Sequence, residues 1–87
     1  MAADRDAYDL PETPERRMML QLVLDKKIHT WASDPIDNET NQPLSPPLTR
    51  AFHDLSRAGL VIGAEFTGAG YAAAVDWGLR SPAYRKR

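Results

Sequence analysis

Apolar residues fall into three patterns along this chain, and each predicts a different element. Met18, Met19, Leu20, Leu22, Val23 and Leu24 form a run broken only by Gln21. A strand could carry such a run, but the flanks favour a helix. Thr13 offers an N-cap oxygen, Pro14 fits the first helical position, and Glu15 sits where the helix dipole favours an anion. Lys26, Lys27 and His29 suit a C-terminus, so the helix should span 13–28 and be buried on most sides. Leu48, Ala51, Phe52 and Leu55 follow i, i+3, i+4, i+7, the single apolar stripe of an amphipathic helix. Pro46 and Pro47 occupy the first turn after Ser45, and Gly59 stands where a left-handed residue closes a helix, predicting 45–58.

The third pattern is alternation. Leu60, Ile62, Ala64 and Phe66 alternate with Val61, Gly63 and Glu65. Beyond Thr67-Gly68-Ala69-Gly70, Tyr71, Ala73, Val75 and Trp77 alternate with Ala72, Ala74 and Asp76. Period two on both sides of a glycine-containing turn predicts a β-hairpin over 60–77.

Between the helices, WASDPIDNETNQPL is rich in Asp, Asn, Pro and Thr and carries only isolated apolar residues. It reads as a long loop, with a short strand around 28–32. Loops of this length inside a compact domain are uncommon and often functional. Residues 1–12 read as an acidic, flexible lead-in, 13–80 as one domain, and 81–87 as a basic tail.

Length and composition narrow the classes. Eighty-seven residues with 43% hydrophobic content suffice for one small core. With no cysteine, neither disulfides nor a Cys-based zinc site can staple it. The polar start lacks the apolar region of a secretory signal, and the longest apolar run is too short to span a bilayer, so a cytoplasmic protein without membrane contact is expected. Net charge is −1 but uneven: residues 1–44 carry −4 and residues 45–87 carry +3. Such asymmetry is consistent with one face prepared for an anionic partner.

The segment RAFHDLSRAGLVIG, followed by the predicted hairpin and VDWGLR, resembles the recognition helix, L-x-x-x-G-L-V junction and wing of winged helix-turn-helix regulators of the MarR and PadR type. The likeness covers 45–80 and implies an α+β, winged-helix-like fold, two main helices packed on a C-terminal β-hairpin. It also implies double-stranded DNA as partner, with the second helix in the major groove. Carried over position by position, the groove-facing residues are Thr49, Arg50, His53 and Arg57, with Thr67, Gly68 and Gly70 at the wing tip. Arg80, Arg85, Lys86 and Arg87 would add phosphate contacts. The chain departs from the pattern where DPIDNETNQPLSPP replaces the compact helix that normally precedes the recognition helix. Small proteins of this kind resemble accessory proteins of actinobacterial phages and mobile elements.

Each candidate also has a plainer reading. Arg50, His53 and Arg57 could form an ordinary solvated face, as Asp54 beside them suggests. Asp34, Asp37, Glu39 and Asn41 lack the turn glycine and distal glutamate of a calcium loop, so a solvated acidic loop fits better. His29 and His53 have no nucleophile or carboxylate motif with them, so no catalysis, metal or cofactor is expected. Trp31, Phe66, Tyr71 and Trp77 suit core packing, but any left exposed would mark a protein interface. Two functions therefore stand: a small DNA-binding regulator, or a winged-helix scaffold that binds a partner protein or a second copy of itself.

Overall fold

The computed structural model describes residues 10–79. Its element order is α1 (Pro14–Leu24), β1 (Ile28–Trp31), β2 (Asp34–Asp37), α2 (Pro46–Arg57), β3 (Val61–Ile62), β4 (Glu65–Phe66) and α3 (Gly68–Asp76). The class is α+β: three helices and two small antiparallel hairpins, β1–β2 and β3–β4.

Both expected helices form. Thr13 caps α1 by accepting a hydrogen bond from the Arg16 amide at 3.1 Å. The helix stops at Leu24, before the expected 28, because Lys26 adopts φ +60°. The Lys27 amide then reaches back to the Leu22 carbonyl. The same closure ends α2, where Gly59 (φ +82°) lets the Leu60 amide reach the Leu55 carbonyl. Ser45 precedes α2 without a side-chain cap, leaving Pro46 and Pro47 to define its start. The α2 stripe buries Ala51, Phe52 and Leu55 against Met19, Leu20, Val23 and Leu24 of α1.

The 60–77 hairpin is corrected. Its first half folds on itself: Val61 pairs with Phe66 and Ile62 with Glu65 across a turn at Gly63-Ala64. This hairpin lies between helices and is not a C-terminal wing. The return strand is instead α3, which buries Gly70, Ala73 and Ala74. Alanine has the highest helix propensity, and Thr67 supplies the cap by accepting from the Gly70 amide. The Thr67 hydroxyl also reaches the Gly59 and Leu60 carbonyls, tying the end of α2 to the start of α3. Gly70 is required there: a β-carbon would lie 2.0 Å from the Leu60 carbonyl oxygen.

The segment read as a loop holds a second strand. Ile28–Trp31 pairs with Asp34–Asp37 through a two-residue turn, Ala32-Ser33, with both residues at positive φ. That is the twist a tight hairpin requires, although neither residue is the glycine or asparagine usual there. Gln42–Leu44 then runs beside β2, with an isolated bridge between Ile36 and Pro43.

Candidate functional site

The residues expected to contact DNA scatter in the structure. Thr49 donates its hydroxyl to the Leu44 carbonyl at 3.3 Å. His53 Nε2 lies 2.9 Å from Asp34 Oδ1, tying α2 to the β1–β2 hairpin. Arg57 donates to Asp54 Oδ1 at 3.1 Å, while Arg16 of α1 holds Asp54 Oδ2 through Nε and Nη2 at 3.3 and 3.0 Å. The Arg16 hydrogen bond leads in holding the Asp54 carboxyl below the ordinary value, against the opposing effect of burial, with Arg57 adding to it. Of the three-residue stripe, only Arg50 forms no ion pair among the described residues. It lines a shallow cleft of about 260 Å³ with Thr13, Glu15, Arg16, Pro47 and Asp54.

The wing-tip assignment is corrected. Thr67 is a helix cap, Gly68 opens α3 and Gly70 is buried, so none of the three tips a hairpin. Arg80, Arg85, Lys86 and Arg87 lie outside the described residues. From position 10 to position 79 the sequence carries nine carboxylates against six lysines and arginines. The positive balance of the C-terminal half therefore resides in positions 80–87.

Another surface draws together what the sequence left scattered. Trp31 ends β1 beside the Ala32-Ser33 turn and is 75% exposed, whereas Trp77 is buried in the core. Its ring, His29, Ile36, Asn41 and Pro43 line an open cleft of about 410 Å³. The hairpin beneath is held firmly. Ile28, Pro35 and Ile36 are buried, His29 Nδ1 lies 2.6 Å from Asn38 Oδ1, and Asn38 Nδ2 donates to the Lys26 carbonyl. The Asn38 amide donates to the Lys27 carbonyl. Asp37 accepts from the Glu39 amide and the Thr40 hydroxyl, so it organises its own turn. The tryptophan is thus a large apolar ring in water on an anchored support.

Phe66 and Tyr71, also considered for an interface, stand with ring centroids 6.3 Å apart and are partly covered. Among the described residues no group of three or more His, Asp or Glu side chains could hold a metal ion. Among them, too, no helix is long and apolar enough to cross a membrane. No protein family, curated protein or solved structure matches this chain.

Proposed function

We propose that this protein is a small, non-catalytic interaction module that engages another polypeptide through the β1–β2 hairpin, with Trp31 as anchor. The observation that carries the reading is the placement of Trp31, three-quarters exposed at the end of a hairpin that is anchored in the core by buried Ile28, Pro35 and Ile36. Exposing an indole forgoes a few kcal/mol of burial, and tryptophan is the side chain most enriched at interface hot spots. The cleft beside it is lined by apolar Ile36 and Pro43 together with polar His29 and Asn41, a composition suited to a peptide surface.

Duplex DNA remains the second reading, favoured by one observation, the exposed Arg50 on α2, which forms no ion pair among the described residues. In that reading the short β3–β4 hairpin would stand in for a wing, and most phosphate contacts would fall to positions 80–87. Internal pairing of His53 and Arg57 is what gives the polypeptide reading precedence.

Titration with random duplex DNA across salt concentrations separates the two. The interaction-module reading expects no saturable binding at low salt. It also expects Trp31→Ala to keep its fold while losing a protein captured by the wild type. Tight, steeply salt-dependent duplex binding, weakened by Arg50→Ala and not by Trp31→Ala, would overturn it.

A further inference from the structure

The surface around Trp31 offers acceptors and negative charge, and no lysine or arginine lines its cleft. Asn38 Nδ2 donates to the Lys26 carbonyl, so Asn38 Oδ1 is left to accept from His29 Nδ1. The neutral imidazole therefore carries its proton on Nδ1 and has Nε2 as an acceptor. Asp34 stands opposite Trp31 in the β1–β2 register, and cross-strand partners project to the same face. Its Oδ1 meets His53 at 2.9 Å, while Oδ2 has no hydrogen-bond partner among the described residues.

The charge of the surrounding chain has one sign. From position 28 to position 49 it carries three carboxylates, Asp34, Asp37 and Glu39, and no lysine or arginine. Asp34 and Glu39 are exposed, and Glu39 forms no ion pair among the described residues. Lys27 precedes the far end of β1, about 13 Å from Trp31 at the rise of a strand.

We propose that this cleft takes an arginine from a basic segment of the partner polypeptide, its guanidinium stacked on the Trp31 ring and donating to Asp34. The proposal rests on the hairpin being a polypeptide-binding surface and names the chemistry that surface selects. An electron-rich ring face with a carboxylate beside it attracts a cation from two directions. Arginine fits better than lysine, because its flat, weakly hydrated guanidinium stacks on an indole while its edge still donates hydrogen bonds. An acidic segment would meet three like charges, and a neutral one would gain only the apolar part of the contact.

Peptide titration of the full chain tests this, followed by nitrogen-15 NMR of its two indole N–H signals, which Trp31→Phe assigns. The probes are an acetylated, amidated hexapeptide, Gly-Arg-Ala-Leu-Arg-Gly, and two analogues with citrulline or glutamate in place of arginine. Citrulline keeps the shape of arginine without its charge. The arginine peptide should shift the Trp31 signal and leave that of buried Trp77 in place. The citrulline analogue should bind roughly fivefold more weakly, and the glutamate analogue more weakly still. Asp34→Asn should bring the arginine peptide down to the citrulline level. His53→Ala breaks the same α2-to-hairpin contact but keeps the carboxylate, so it should bind the arginine peptide at least as well as wild type. Equal losses in Asp34→Asn and His53→Ala would make Asp34 a purely structural residue and overturn its part in the site. Equal binding of the three peptides, or binding of none at millimolar concentration, would overturn the arginine preference. If Trp31→Ala nevertheless loses a captured protein, the preference alone falls and the interaction surface stands. If Trp31→Ala captures as the wild type does, the surface falls and the preference with it.

Discussion

Gly70 joins sequence to packing through one missing atom. It sets the first turn of α3 directly against the Leu60 carbonyl, where a β-carbon would intrude to 2.0 Å. Gly68, two residues earlier, has open space around the same position. Both are helical glycines with ordinary φ, so propensity alone would favour alanine at each by up to about 1 kcal/mol. Packing reverses the sign at one of them. Gly70→Ala should lower stability by roughly 1–3 kcal/mol, the range for forcing atoms into a filled site, while Gly68→Ala should leave it equal or higher. Urea denaturation of the pair checks this, and a stabilised Gly70→Ala would remove the close approach of α3 to Leu60.

At the scale of elements, how much was legible depended on whether local chemistry and tertiary context agreed. The two long helices carried their own signals: Thr13-Pro14, the 48/51/52/55 stripe, and Gly59 at a left-handed stop. The hairpin at 60–77 failed because Tyr71, Ala73, Val75 and Trp77 alternate in a run whose alanines prefer helix, and Thr67 caps as readily as it turns. The strand β2 was hidden by its content, Asp-Pro-Ile-Asp, and by a turn whose Ala32-Ser33 lacks the glycine or asparagine signature. Trp31 was legible as a candidate anchor, but its exposure was not. The Arg57–Asp54 pair, three positions apart on one helix, was legible, but the pairing of His53 with Asp34, 19 positions away, and of Arg16 with Asp54, 38 away, was out of reach.

Two predictions test how the elements are joined. Leu55 is fully buried between α2 and α1, so Leu55→Ala should cost about 2–5 kcal/mol. A denaturation midpoint equal to the wild type would show that the stripe does not form the core. Asp54 joins α1 to α2 through Arg16, and its carboxyl titrates below the ordinary 3.8. A carboxylate with a depressed folded pKa contributes stability that is fully present above its unfolded value and fades as pH falls through the lower folded one. Wild-type stability should therefore fall more steeply than that of Asp54→Asn below about pH 4, and the two curves should run parallel above about pH 5. Parallel curves across the acid range would remove the α1–α2 clasp from the account.

Over the whole molecule, charge and exposed apolar surface divide the chain in different ways. The positive balance of the C-terminal half belongs to positions 80–87, while the described residues from 10 to 79 have more carboxylates than cations and pair most of their cations with one another's carboxylates. Met18, Ile62 and Val75 are also exposed, but Trp31 has the largest exposed fraction of these and lines a cleft. The most direct test of the account is quantitative capture of bound protein from cells of origin, with wild type and Trp31→Ala compared at matched thermal stability. A hot-spot tryptophan contributes at least about 2 kcal/mol, so the variant should bind its partner roughly thirtyfold more weakly, while Arg50→Ala with Arg57→Ala should bind within about twofold of wild type. Undiminished capture by a folded Trp31→Ala variant would contradict the account.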